Sequence, residues 1–434
     1  MPHLSIERLS YGPDAIARLE DGRTAFVSGA CPGDVVDAEV IADHGRYVNA
    51  STKSVIEPSA DRVTPPCPYF GVCGGCQWQH VAEAVQLISK RQAVVDALRR
   101  IGHIEAAEER VGETLASPAY GYRNKIELVA EHRGGKLIVG FHRAASGDII
   151  PVDSCLLLPK RFQKAPKALS GALRYVAGST DLGISRVALR IARNTKDIEV
   201  ALWTPPSSFP RQAAARTLGQ ALPLSSLVRV LYKGAPKERS VSKVEALSGR
   251  GSWTERLGEF SYTISAPSFF QTNTKMAEKL VELVLEILQP DGSDVVLDLY
   301  SGAGTFTLPL AELAGEVVAI ESYGPAVRDL RRNLESAQSW AEVVGGDAAR
   351  EIETLGYADL AVVDPPRAGL DPAVIAALAR LRPRALAYVS CDPATLARDA
   401  KALEEAGLTL VSATPVDLFP QTFHVETVAH FAPA

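Results

Sequence analysis

Apolar and polar positions divide the 434-residue chain into three stretches. Up to about residue 60 the pattern alternates in short runs. Leu4-Ser5-Ile6-Glu7-Arg8-Leu9 ends at Gly12-Pro13, and Ala25-Phe26-Val27 and Val35–Val40 follow, with turn chemistry at Asp21-Gly22 and Pro32-Gly33-Asp34. Closely spaced short strands of this kind predict a small β-barrel over residues 1–60. Residues 61–264 are mixed. They hold a helical pattern over Val81–Ile101, then strand-like runs at Lys125–Ala130, Leu137–Phe141, Arg186–Ile191, Ile198–Leu202 and Leu227–Tyr232, with no order implied among them. From about residue 265 apolar runs of strand length alternate with amphipathic helical stretches. The runs are Asp294–Leu299, Val317–Ile320, Glu342–Val344, Leu360–Val363 and Ala385–Val389, and the helical stretches include Pro325–Ser339 and Pro372–Leu381. This alternation predicts βαβ units on a parallel sheet. The tail VSATPVDLFPQTFHVETVAHFA reads as a hairpin completing that sheet.

The chain is 46% hydrophobic and 22% charged, with a formal net charge of −5. No apolar run reaches membrane-spanning length, and no secretory leader pattern opens the chain, so a cytoplasmic location is expected. The modest acidity leaves a nucleic-acid partner open, because binding needs a local basic face. Lys160, Arg161, Lys164 and Lys167 form one basic cluster, and Lys233, Lys237, Arg239 and Lys243 another. Either cluster could equally be ordinary solvated surface.

DVVLDLYSGAGTFTLPLA couples a strand to a glycine turn and a helix start. Gly302 and Gly304 permit close backbone approach by a ligand, and Glu321, 19 residues after Gly302, stands where an acid holds ribose hydroxyls. Thr307 replaces the third glycine of a dinucleotide fingerprint. Asp298 suits a cationic ligand better than a phosphate. S-adenosylmethionine, with ribose, ammonium and sulfonium but no phosphate, fits best; a βα turn with no ligand is the plainer alternative. Asp347, after the third strand, could meet an adenine amino group or face solvent. Asp364-Pro365-Pro366-Arg367 follows the fourth strand. Arg367 stands where methylases of exocyclic amines carry an aromatic residue, which argues against that chemistry.

Cys67, Cys73 and Cys76 are spaced C-x5-C-x2-C, with Cys155 downstream. Four thiolates suit a [4Fe–4S] cluster or zinc, and a single C-x2-C hook favours the cluster. Radical chemistry on S-adenosylmethionine expects a different spacing. Cys391, in SCDPATLARD, sits apart from this set at the tip of the fifth strand. The following helix, with Asp392 as its cap, is expected to favour the thiolate through its dipole. Such a thiolate can add to carbon 6 of uracil and make carbon 5 nucleophilic toward a methyl group. Glu426 is the candidate base. His424, two residues before it on an expected strand, faces the same side as a supporting group. In SFFQTN, Gln271 suits a base edge or the cofactor, while Phe269 and Phe270 could stack on a base but are expected to pack.

These motifs together (SCDPATLARD, DPPRAGL, FFQTN, LDLYSGAGTFTLPLA and HVE) resemble those of the RNA 5-methyluridine methyltransferases. The four-cysteine set resembles the branch acting on 23S ribosomal RNA with a [4Fe–4S] cluster, and the opening strands resemble a TRAM domain. The resemblance implies a multidomain α/β chain. A TRAM barrel of OB type would occupy residues 1–60, a central α+β iron–sulfur domain 61–264 and a class I, Rossmann-like methyltransferase domain 265–434. It further implies Cys391 as nucleophile and Glu426 as base, with Gln271, Tyr300, Glu321 and Asp364 contacting cofactor or target uridine. His424, Phe269 and Arg367 would lie on the substrate side. Ser301 stands where the family often has cysteine. The target base would be flipped out of its stack, and a monomer is expected. Transfer RNA is the alternative substrate. Cytidine methylation is disfavoured, because the Pro-Cys it uses after the fourth strand is absent. A silent RNA-binding protein on the same fold is disfavoured by the intact Cys391 and Glu426.

Overall fold

The computed structural model of the chain describes residues 3–234 and 240–434, so Lys237 and Arg239 of the second basic cluster lie outside it. Five strands, His3–Leu9, Ala15–Arg18, Thr24–Ser28, Val35–Asp43 and Tyr47–Glu57, close into a barrel in the order 1-2-3-5-4. Alternation along the first strand buries Leu4, Ile6 and Leu9 in the barrel core, as a period of two requires. Cys31 packs in that same core. Asp34, wholly buried, accepts hydrogen bonds from the Cys31 and Ser59 amides at 2.7 and 2.9 Å and pairs with Arg62 at 2.6 Å. That pairing is what lets a carboxylate sit there at all.

The middle of the chain forms a second, seven-stranded sheet from Lys125–Arg133 to Ser240–Gly249. Counted in chain order, its strands lie 7-6-5-4-1-2-3, and the helices Ala165–Ala177 and Arg211–Ala221 share its core. Two of its strands run parallel, Ile198–Thr204 beside Ser226–Lys233.

The third sheet carries the parallel strands Val295–Leu299, Glu316–Glu321, Glu342–Gly345, Leu360–Val363 and Ala385–Ser390. The antiparallel pair Leu408–Val416 and Glu426–Pro433 completes it. Its order is 3-2-1-4-5-7-6, so the last strand enters between the fifth and the sixth. Strands buried on both faces explain the unbroken apolar runs. A hairpin, Trp253–Leu257 with Phe260–Ile264, packs into the core of this sheet beside the helix Thr274–Leu288.

The helix Glu83–Arg100 leaves the middle segment and lies against the helix Pro393–Glu405. Val94, Val95 and Leu98 thereby join the core of the third sheet. Leu98→Ala removes a fully buried side chain there and should cost about 2–5 kcal/mol, read as a lowered midpoint in urea with an unchanged slope.

Candidate functional site: the carboxyl edge of the third sheet

Cys391 follows the fifth strand directly, and its position is set by two local rules. Asp392 caps the next helix by accepting from the Ala394 and Thr395 amides at 2.9 and 3.1 Å, and Pro393 fills the first turn, where no donor is needed. The chain must therefore turn from strand to helix at Cys391. Ser390 pairs with Thr427 in the antiparallel ladder. Cys391 and Glu426 are the next residues beyond that pair, so the register leaves them at adjoining strand ends, and Glu426 is among the groups acting on the Cys391 thiol.

Glu426 is buried at 4% exposure and opens the last strand, while His424 lies in the loop before it. The expectation that His424 shares a strand face with Glu426 is thus corrected: the strand begins only at Glu426, and the carbonyls of Leu418 to Gln421 in the loop before it are bonded from outside the sheet. His424 packs instead on Phe423, with centroids 4.2 Å apart, and edge-on to Phe419. Burial, with Arg367, Lys90 and Arg123, depresses its pKa to about 4, so at neutral pH the ring is uncharged.

The helix dipole does not decide the state of Cys391. Burial, then Glu426 and Asp364, push its thiol up to about 11, opposed by Arg367. The expectation of a resting thiolate is corrected on that ground: desolvation and two acids outweigh one helix terminus. Glu426 is held well above the carboxylate range by burial and by Asp364. Burial lifts Asp364 to about 7, and Asp298 to about 7 with help from Asp364 and Glu321. A crevice that neutralises its own acids this way is one that a cationic ligand would recharge.

Asp298 lies inside the first strand, wholly buried. One of its oxygens accepts from Thr307 Oγ1 at 2.5 Å and the other has no partner. Glu321 ends the second strand and accepts the Gly302 amide at 2.9 Å and the Tyr323 amide at 2.6 Å, which ties it to the glycine turn. Gly302 has φ +59° and open space where a Cβ would point. At Gly304 a Cβ would come within 2.6 Å of Leu308 and Leu330, so that glycine serves helix packing. Tyr300 holds φ +63°, a costly conformation for a side-chain-bearing residue. Asp347 is exposed and caps the helix Ala348–Glu351, accepting from the Ala349 and Arg350 amides.

Arg367 is exposed on the loop after Asp364, and that loop is pinned from the Cys391 helix, where Asp399 accepts the Leu370 amide at 2.7 Å and Tyr388 Oη at 2.8 Å. Gln271 is buried, with its carbonyl accepting from Asn124 at 2.9 Å. The two phenylalanines part company. Phe270 packs edge-on against Trp253, whereas Phe269 is 64% exposed, against the expectation that both pack. Strand alternation does not govern this segment, because Arg190 and Asp329 bind its backbone and serines from two sides.

The sequence pattern gave little sign of what holds the Glu426 loop. Lys90, fully buried, pairs with Asp417 and donates to the Phe419 carbonyl at 3.1 Å. Asn273 Nδ2 donates to Leu418 O and Tyr122 Oη to Pro420 O, both at 3.1 Å. The Gln77 and Trp78 amides both reach Gln421 O at 3.0 Å, and Gln86 bonds Gln421 in both directions. A lysine on an apolar helix face was the one available signal.

Cys67, Cys73, Cys76 and Cys155 line one cavity of about 850 Å³, with Gly74, Gly75 and Arg123 on its wall. Among the described residues no three His, Cys, Asp or Glu side chains converge closely enough to hold an ion. Without a metal, burial raises the Cys73, Cys76 and Cys155 thiols, Cys76 to about 12.

A family model described as tRNA (Uracil-5-)-methyltransferase matches residues 227–343 and 350–432, and a TRAM model matches residues 3–53. An uncharacterized RNA methyltransferase of Halalkalibacterium halodurans is 34% identical, covering 98% of this chain and 95% of that protein. The chain belongs to the RNA (uracil-5-)-methyltransferase family. Another member, an uncharacterized RNA methyltransferase of Chlorobaculum tepidum, is 35% identical over 95% of this chain and 92% of its own length. Among solved structures, the Pyrococcus abyssi tRNA (uracil-54, C5)-methyltransferase in complex with S-adenosyl-L-homocysteine superposes with a TM-score of 0.77. It is 27% identical and covers 99% of this chain and 100% of its own. The N-terminal barrel is thus a TRAM domain, and the third sheet has the fold of an S-adenosylmethionine-dependent methyltransferase. No helix among the described residues is long and apolar enough to cross a membrane.

Two outcomes test the loop and the thiol in this family member. Lys90→Met strands the Asp417 carboxyl and should cost about 3–5 kcal/mol, with most of it regained when Asp417→Leu is added; urea unfolding of both variants checks this. In RNA-free protein at pH 8, alkylation of Cys391 should run about 10²-fold slower than that of an ordinary thiol. The rate should climb with pH toward about 11, followed by mass spectrometry of the Cys391 peptide.

Proposed function

We propose that the chain methylates carbon 5 of a uridine in 23S ribosomal RNA, with Cys391 as nucleophile and Glu426 as base. The observation that supports this is that the ladder pair Ser390 with Thr427 makes Cys391 and Glu426 the next residues on two neighbouring strand ends, where Glu426 is among the acids acting on the Cys391 thiol. S-adenosylmethionine, when bound, supplies an electrophilic methyl group on a sulfonium. The unpartnered Asp298 oxygen, the open space at Gly302 and the neutralised acids all fit a cation-bearing ligand there. Asp298, Gly302, Tyr300, Glu321, Asp364, Gln271 and Asp347 are the candidates to hold it or the target base.

The steps follow from the residues. Arg367 is the positive group that favours loss of the Cys391 proton once RNA seals the site. Cys391 sulfur bonds to carbon 6, and the displaced electron pair spreads over carbon 5 and its neighbouring carbonyl. Carbon 5 would take the methyl group from bound S-adenosylmethionine as the methyl–sulfur bond breaks, its electron pair staying on the sulfur, which leaves as a neutral thioether. Glu426, as carboxylate, removes the carbon 5 proton, the ring double bond re-forms, and the Cys391–carbon 6 bond breaks. A base raised by burial is well matched to that abstraction. His424, Phe269 and Arg367 stand on the substrate side, and the exposed Phe269 ring suits stacking with a base.

Cys67, Cys73, Cys76 and Cys155 are the residues that would hold a [4Fe–4S] cluster, and their shared cavity supports that reading. Transfer RNA is the second reading, favoured by one finding: the superposing Pyrococcus protein acts, by its title, on tRNA uracil 54, and the match includes the barrel.

Tritiated S-adenosylmethionine with 23S rRNA and tRNA transcripts decides between them. Label is expected in a 23S uridine; label only in tRNA selects the second reading, and none in either overturns both. Cys391→Ala should abolish transfer, and Glu426→Gln should leave a protein–RNA adduct stable to denaturation. Anaerobically purified protein should contain iron and sulfide in equal amounts, and iron-free protein would refute the cluster.

A further inference from the structure

The catalytic edge is not built from the third sheet alone. Between the first two barrel strands, Ser10 closes a tight turn by donating to the Asp14 carbonyl through both its amide and its hydroxyl, at 3.0 and 2.5 Å. The turn pushes Tyr11 outward. Its ring leaves the barrel core and packs against the core cluster that contains Tyr388, Leu396 and Val425. In exchange, Phe423 of the Glu426 loop packs against the barrel core. The two rings meet edge-on at 5.7 Å, and Phe423 in turn lies 4.2 Å from His424. Each domain thus lends an aromatic ring to the other across one seam, and the seam ends at the start of the Glu426 strand.

We propose that Tyr11, supplied by the barrel, is a further catalytic residue of the uridine site, its hydroxyl donating a hydrogen bond to the uracil carbonyl conjugated with carbon 5. The proposal rests on the uridine-methylation reading above. Three features support it. The ring is half-buried and held from both sides. Its hydroxyl makes no hydrogen bond to another described residue, which leaves the donor available. The ring packs between Phe423 and the cluster that contains Val425, beside the strand ends bearing Cys391 and Glu426, and the titratable groups acting on its hydroxyl are Asp392, Cys391, Arg367 and Glu426. Burial, Asp392 and Cys391 hold the phenol protonated far into the alkaline range, so it stays a donor throughout the reaction.

The chemistry calls for such a donor. When Cys391 sulfur bonds to carbon 6, the carbon 5–carbon 6 pair shifts to give an enolate whose negative charge sits on the adjacent carbonyl oxygen. Tyr11 would stabilise that oxygen without transferring its proton, first when the sulfur adds and again when Glu426 takes the carbon 5 proton; methyl transfer restores the carbonyl in between, and loss of the sulfur from carbon 6 restores it at the end. The same donor matches uracil, which has a carbonyl at that position, and mismatches cytosine, which has an amino group there. A barrel otherwise suited to gripping RNA would thereby take part in the chemical step.

Tyr11→Phe keeps the ring and removes the donor. Measured in parallel with wild type on the 23S and tRNA transcripts, it should lower kcat about 10²-fold and leave the RNA KM within about twofold. Thermal stability should be unchanged, and adduct formation with 5-fluorouridine-containing transcript should slow in step with kcat. Tyr11→Ala should add a loss of stability, because the seam loses its ring. Wild-type kcat in Tyr11→Phe overturns the proposal alone, as does a change confined to KM, which would make Tyr11 only an RNA contact. A wild-type chain that labels neither transcript overturns the uridine reading and this proposal together.

Discussion

The candidate site depends on one antiparallel register. The strand Glu426–Pro433 inserts beside Ala385–Ser390 and is held on its other side by Leu408–Val416. A shift by one residue would turn every side chain on that strand to the opposite face. The insertion is secured by the loop before it, which takes hydrogen bonds or an ion pair from Lys90, Tyr122, Asn273, Gln86 and the Gln77–Trp78 backbone. None of those donors belongs to the third sheet. The sheet supplies the strand, and the rest of the chain fixes where it starts.

The second constraint is electrostatic. Asp298, Asp364 and Glu426 all lie where water is largely excluded, and burial lifts each of them. Carboxyls in such a place are tolerable as neutral acids or beside a cation. The same environment holds Cys391 as a thiol and His424 as a neutral ring. The free protein therefore favours the uncharged forms of Cys391, His424 and Glu426. Contrast the paired interior charges: Lys90 with Asp417 and Asp34 with Arg62 stay bonded and serve position.

The three sheets are consequently one working unit. The cysteine segment touches the loop before Glu426 through Gln77 and Trp78, and the barrel touches it through the Phe423 seam. Arg123 lies at the meeting point, lining the cysteine cavity on one side and facing the Phe419 ring at 5.7 Å on the other.

Much of this was legible in the chain itself, where local rules govern. Alternation marked the barrel strands, unbroken apolar runs marked the parallel sheet, and Asp392-Pro393 marked the strand-to-helix turn at Cys391. The glycine turn and its Glu321 partner were likewise written in a spacing that the backbone geometry demands. What periodicity could not give is anything set by contacts between distant segments. His424 left its expected strand because outside donors claim the loop, and Phe269 turned outward because Arg190 and Asp329 fix the segment around it. The protonation of Cys391 went the same way, since a helix start is local but burial and two neighbouring acids are not. Sequence fixes which groups are present and how each sits on its own element; only the packed chain decides what surrounds them, and those surroundings set both charge and reach.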